Sequence, residues 1–269
     1  MHVMKEFVVR NWTELEDKLF EGSYDSRIKR HRSNYVFRGL SDSSYNLLTS
    51  LNRVCRDNLM LEQCLLRNFK KYASNDLNID GFWETLSIAQ HHGLPTRLLD
   101  WTFSPFVALH FATEDFSKYD KDSSVWCVDF VKAHEYLPKT FTDKLSDNYA
   151  YNFTTEMLDS LIPNFESLKN YETEVDSKPF VIFFEPPSID SRIVNQYALF
   201  SVMSDPSVTI THWLKEHSDI VKKIIIPKEI KLEIRDRLDQ INMTERIIYP
   251  GFDGLCKWLT RHYTPTEHI

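Results

Sequence analysis

The chain has 269 residues and a mass of 31.9 kDa, with 42% hydrophobic residues, 26% charged residues and a net charge of −7. That composition excludes wholesale disorder and fibrous repeats, and the negative charge disfavours a general nucleic-acid binder. Apolar runs such as Phe180–Phe184 are too short to span a bilayer, and Met1–Arg10 lacks the apolar stretch of a secretory signal. The expectation is one soluble, cytoplasmic domain over residues 1–269, without a membrane partner. Only six glycines occur, with no GxGxxG and no GxxxxGK[ST], which argues against a Rossmann-type or phosphate-loop nucleotide site. Cys55, Cys64, Cys127 and Cys256 form no CxxC pair and read as free thiols.

In chain order, Trp12, Leu15, Leu19 and Phe20 have helical spacing, with Asn11 as the cap. The run Arg27, Lys29, Arg30, His31 and Arg32 reads as a solvated loop or as an electrostatic handle for a phosphate-bearing substrate. Asn34–Leu40 is a short buried strand. Helices are predicted over Leu59–Tyr72, Trp83–His91 and Pro105–Phe116, the last with proline at its first position. Strands follow at Ser124–Val131, Phe180–Phe184, Ala198–Met203 and Lys222–Ile226. The end of the chain reads as a helix over Glu229–Ile241, a strand at Arg246–Tyr249 and a helix over Gly254–Arg261. Residues 136–176 are polar, aromatic and poorly periodic, and suggest an insertion or a helical lid. Mixed helices and strands in this order predict an α+β fold with a mixed or antiparallel sheet.

Ala89–Ala112 is the densest unusual segment. His91 and His92 end a helix, Gly93 suits the left-handed position after it, and Pro95 stops continuation. Thr96, Arg97, Asp100, Trp101, Thr102 and Ser104 then lead into the next helix. A plain structural reading makes Arg97–Asp100 a buried pair, Trp101 core filler and Ser104 an N-cap. The alternative is a polar ligand held in the loop. Arg38, alone in an apolar strand, must find an anion, because it cannot lose its charge. Gly39 beside it permits a close approach of backbone or ligand. Gln196 precedes a strand, and Glu185 ends one. The adjacent His91 and His92, with His110 and no HExxH, do not suggest a metal site, and no GxSxG elbow is present.

These segments together resemble the FRG-domain family. The matching residues are Phe37-Arg38-Gly39, the block His92-Gly93-Leu94-Pro95-Thr96-Arg97-Leu98-Leu99-Asp100-Trp101-Thr102, Ser104-Pro105 and Ala108-Leu109-His110-Phe111-Ala112. Arg192, Gln196 and Phe200 look like a third block, and Arg246–Pro250 with Asp253-Gly254-Leu255 like a closing one. Ala198 stands where the family usually has glycine. The order of an arginine on a first strand, a hydroxyl-rich strand–helix segment and a polar residue opening a later strand is similar to ADP-ribosyltransferases of the Arg–Ser–Glu type.

That similarity implies an ADP-ribosyltransferase-like sheet with N-terminal helices, and NAD as the substrate. It gives Arg38 the NAD diphosphate or ribose, with Gly39, Thr102 and Ser104 lining the pocket and Tyr35 and Trp101 stacking on nicotinamide. His92 would meet the ribose or take a proton, and Arg97 and Asp100 would brace the loop. Gln196 stands where the type has glutamate, so the missing charge must come from elsewhere, with Asp100 or Glu185 as candidates. The implied role is a bacterial toxin or anti-phage effector that modifies RNA, DNA or protein and has an antitoxin partner. The alternative is a non-catalytic nucleotide- or RNA-binding module using the same pocket.

Overall fold

The computed structural model describes residues 4–55, 61–73, 81–173 and 178–265. The first part of the chain runs β1 (Lys5–Val8), α1 (Trp12–Phe20), β2 (Tyr24–Asp25), β3 (Arg30–His31), β4 (Tyr35–Leu40), α2 (Ser50–Cys55), α3 (Leu61–Ala73), α4 (Phe82–His91), β5 (Leu98–Thr102) and α5 (Pro105–Thr113). The middle part is β6 (Ser123–Asp129), α6 (Phe130–His134), α7 (Lys139–Asp147), β7 (Phe153–Thr154), α8 (Thr155–Leu161) and α9 (Phe165–Thr173). The last part is β8 (Val181–Glu185), α10 (Ser191–Asn195), β9 (Ala198–Met203), α11 (Ile210–Glu216), β10 (Val221–Ile226), α12 (Lys231–Gln240), α13 (Glu245–Ile248) and α14 (Phe252–Tyr263). The fold is α+β, as expected. Of the helix predicted over Leu59–Tyr72, residues 59 and 60 lie outside the described residues, as do 174–176 of the stretch 136–176.

Eight strands form one mixed sheet in the order β1-β10-β6-β4-β5-β9-β8-β7. The two outermost pairs, β1 with β10 and β7 with β8, are parallel, and the inner pairs are antiparallel. Residue alternation along the strands sorts the core between two faces. Val36, Leu99, Trp101, Trp126, Val128, Phe183 and Leu199 meet on one face, under α6 and α11. The other face is divided. Phe37, Val125, Cys127 and Ile224 pack there with α1, α5 and α12. Leu98, Ile182, Phe184 and Phe200 pack with α4, α7 and α8. Phe141, Leu145, Phe153, Leu158 and Leu168, all within 136–173, are buried in this last cluster.

The seam between the two clusters falls at β4 and β5. These strands share a single registered pair, Phe37 with Thr102, whereas β5 and β9 share five. Past that pair the ladder opens, and the Asp100 carbonyl accepts a hydrogen bond from Arg38 Nη1.

Local chemistry sets the ends of the elements. Asn11 Oδ1 accepts the Glu14 N–H and starts α1, and Ser104 Oγ accepts the Val107 N–H and starts α5. After α4, Gly93 has φ +83°; its N–H reaches the Gln90 carbonyl, and the Leu94 N–H reaches that of Ala89, which closes the helix. Two expectations are corrected. The strand predicted over Ser124–Val131 stops at Asp129, whose carboxylate accepts the Lys132 N–H and turns the chain into α6. The strand predicted over Arg246–Tyr249 is helix α13 instead. Tertiary contacts outweigh its β-branched sequence, because Asn195 Nδ2 and Gln196 Nε2 satisfy its terminal carbonyls at Ile247 and Ile248.

Candidate functional site

A cleft of about 670 Å³ opens at the seam where β4 and β5 part. One wall comes from β4 and the residues after it, the end of α4, β5 and the end of α5. The other comes from α10 and the start of β9. Its volume lies within the roughly 300–1,000 Å³ of small-molecule sites.

Arg38 crosses the gap. Besides the Asp100 carbonyl, its Nη1 lies 3.6 Å from the Asp100 carboxylate, and its side chain is 18% exposed. Its Nε is buried without a hydrogen-bond partner. Burial lowers the Arg38 pKa most, with Asp100 opposing, yet a guanidinium stays charged in proteins. The cleft wall therefore holds a cation whose hydrogen-bonding capacity Asp100 fills only in part.

Asp100 is exposed, and its other contact is Gln90 Nε2 at 3.0 Å. Gln90 Oε1 in turn accepts the Thr96 hydroxyl at 2.6 Å. The end of α4 is tied to the opposite wall as well, since His91 Nε2 meets the Asp190 carboxylate at the start of α10. Burial pushes the His91 imidazole below its ordinary pKa, and Asp190 opposes that shift. His92 is exposed on the cleft wall.

Gln196 lines the cleft as the C-cap of α10, where its carbonyl accepts the Thr102 hydroxyl at 2.7 Å and its Nε2 donates to the Ile248 carbonyl at 3.1 Å. Thr102 is the hinge of this corner, because its Oγ1 also accepts the Ser104 N–H. The structure thus brings Arg38, Gly39, His92, Asp100, Trp101, Thr102 and Gln196 to one cleft.

Several expected roles are corrected. Arg97 does not pair with Asp100. It is held by Glu62 of α3, with Nε–Oε2 at 2.6 Å and its own N–H on Oε1 at 2.8 Å. Arg97 lies just before β5 and is buried, whereas Asp100, within the strand, opens onto the cleft. Trp101 is only 3% exposed; its Nε1 donates to Ser201 Oγ and its ring packs on Phe183, so it is not free to stack on a ligand. Tyr35 sits at the opposite end of β4 under Lys222, outside the cleft. Ser104 acts as an N-cap and is not on the cleft wall. Glu185 ends β8 away from the cleft and contacts Asn152. Gly39 is required by the helix packed on it, since a Cβ there would lie 1.8 Å from the Ala108 carbonyl oxygen.

Sequence reasoning missed two wall residues, Tyr45 and Glu114. Arg192 stacks over the Tyr249 ring at 5.3 Å, and the Tyr249 hydroxyl donates to Glu114 at 2.7 Å. Glu114 follows the Ala-Leu-His-Phe-Ala motif by two residues, which was the available signal.

The family model described as FRG domain matches residues 33–121. The third and closing blocks of the resemblance lie beyond that match. No curated protein and no solved structure matches the chain. Among the described residues, no helix is long and apolar enough to cross a membrane.

Proposed function

We propose that this chain, which carries an FRG domain, is an NAD-dependent ADP-ribosyltransferase acting on a macromolecule, nucleic acid or protein. The observation that carries the reading is Arg38, a largely buried guanidinium with an unpartnered Nε on the wall of a cleft of about 670 Å³. A fixed cation with donors to spare suits the diphosphate of a dinucleotide. The sheet that parts between β4 and β5 fits an ADP-ribosyltransferase-like layout, with the substrate lying in the seam.

In this reaction nicotinamide leaves through a transition state resembling an oxocarbenium ion, and the protein supplies position and electrostatics. Arg38 takes the diphosphate. His92, exposed at the end of α4, meets a ribose hydroxyl. Stacking on nicotinamide falls to Tyr45 or Phe111, since the Trp101 indole is committed to the core. A toxin or anti-phage effector with an antitoxin partner is the setting that goes with this activity.

Incubation with NAD and cell extract should release nicotinamide and label a macromolecule, and separate nuclease and protease digestion identifies its class. Arg38→Ala should reduce release by roughly 10²-fold or more, as for loss of a charged contact at a reacting centre, with the fold retained. One observation favours a second reading, a non-catalytic nucleotide- or RNA-binding module. The Gln196 amide, standing where the similar enzymes have glutamate, is engaged by the Ile248 carbonyl. NAD binding without turnover by the wild type would select that module over the enzyme.

A further inference from the structure

A carboxylate stands on the cleft wall that neither the family motifs nor the mapped third position supplies. Glu114 caps the C-terminus of α5 and lines the cleft. It also lines a neighbouring groove of about 870 Å³ that runs on past Tyr249, Asp253 and Lys257. Among the described residues it is the one common to both spaces.

The groups behind Glu114 are arranged around a negative charge. Tyr249 Oη donates to its Oε2 at 2.7 Å. Burial, then the Glu114 charge, raises the Tyr249 pKa, so the phenol stays a donor. On the other side His110 is fully buried, with Nε2 at 3.4 Å from Glu114 Oε2. That contact does not close a hydrogen bond, and Nε2 has no other partner. Its tautomer follows from Arg235, whose guanidinium has only donors and lies 3.0 Å from His110 Nδ1. Nδ1 therefore accepts, and the proton of the neutral ring is on Nε2, facing Glu114. Burial lowers the His110 pKa, which keeps the ring neutral.

Arg235 is fixed in turn by Glu245 at 2.7 Å, and Glu245 by Arg261, which also grips Asp239. A ladder of alternating charges thus runs from α14 to Arg235, and the neutral His110 ring links it to Glu114 at the cleft. The immediate neighbours of Glu114 are a phenol donor and a neutral imidazole, and among the described residues no Lys or Arg pairs with it. Asp100, by contrast, faces Arg38. Arg192 and Lys257 lie over the Tyr249 ring, at 5.3 and 4.6 Å.

We propose that Glu114 is the catalytic carboxylate of this cleft, standing where the NAD-derived sugar meets the acceptor entering from the neighbouring groove. The inference rests on the NAD-dependent reading above. The bond from C1′ to the pyridinium nitrogen breaks, and its electron pair returns to nitrogen, releasing neutral nicotinamide. The Glu114 charge offsets the positive charge developing at C1′. A lone pair of the acceptor then forms the new bond to C1′, and the acceptor's proton passes to Glu114 and on to solvent. Tyr249 and His110 are positioning residues that aim the carboxylate.

The test compares wild type, Glu114→Gln, Glu114→Asp and Tyr249→Phe, reading NAD-induced thermal shift and nicotinamide release. Glu114→Gln should keep the thermal shift and release nicotinamide at least 10²-fold more slowly, with KM for NAD changed less than about 3-fold. Glu114→Asp should recover part of the rate, and Tyr249→Phe should lose about 10-fold in kcat alone. Wild-type rates in Glu114→Gln, or a loss carried wholly by KM, overturn the assignment of Glu114 while leaving the enzyme reading intact. A wild type that releases no nicotinamide overturns that reading, and this assignment with it.

Discussion

Replacing Arg97 with methionine removes the cation from a site where its counter-charge has no access to water. Glu62 is 1% exposed and Arg97 7%. One carboxylate holds both the Arg97 side chain and its backbone N–H, so Glu62 fixes the entry to β5 as well as neutralising the guanidinium. Arg97→Met takes the guanidinium away from that buried carboxylate, and breaking buried pairs in this way costs about 3–5 kcal/mol. For a domain of this size, about 2 °C in Tm per kcal/mol converts this to a fall of roughly 6–10 °C. Asp100, three residues on and within β5, provides the contrast. Its side chain is 55% exposed and 3.6 Å from Arg38, so Asp100→Asn should cost no more than about 1 kcal/mol. Urea unfolding followed by circular dichroism gives both values, and Glu62→Gln combined with Arg97→Met gives the coupling, expected at about 2 kcal/mol or more. Equal losses in Arg97→Met and Asp100→Asn, or a loss below about 1 kcal/mol in Arg97→Met, would refute the pairing argument.

Gly39→Ala should destabilise the protein by about 3 kcal/mol or more, because the new methyl would meet the α5 backbone rather than a side chain that can move; an unchanged urea midpoint would count against this close packing. His134 gives a pH dependence: its Nε2 accepts the Phe183 N–H, its Nδ1 faces the Tyr151 carbonyl, and burial pushes its pKa from the ordinary 6.5 down to about 4. The unfolded chain then binds the proton first as pH falls below 6.5, so stability is full above that value and is lost progressively down to pH 4, by about 3 kcal/mol. Unfolding midpoints between pH 7.5 and 4.5 should show this slope in the wild type and a shallower one in His134→Gln, and identical slopes would refute it.

What the sequence revealed was the chemistry that acts over a few residues. Asn11, Ser104-Pro105 and Gly93 mark helix ends by capping groups next to them, and the structure has them there. Arg38 was legible as a charge in need of an anion because an arginine amid apolar strand residues has no local solution. Its partner Asp100 is 62 residues away. Pairings across the chain were not legible. Arg97 and Asp100 stand three apart, which invited a pair, but Glu62 lies 35 residues upstream of Arg97. Glu114 and Tyr249 are 135 residues apart. Neither has a periodic or compositional signature, and α13 is helical because of contacts that its own four residues do not reveal.

The two walls of the cleft have different origins in the chain. Arg38, the end of α4, β5 and Glu114 all lie in the FRG-matched residues 33–121, whereas Arg192, Ile193, Gln196, Ala198 and Phe200 lie well beyond them. The ladder that aims Glu114 comes from α12, α13 and α14, farther still. A truncated protein ending near residue 121 would keep the signature and lose one wall of the cleft. Swapping the C-terminal half between two chains that share the motif would be a way to exchange ligand preference while leaving the arginine wall untouched.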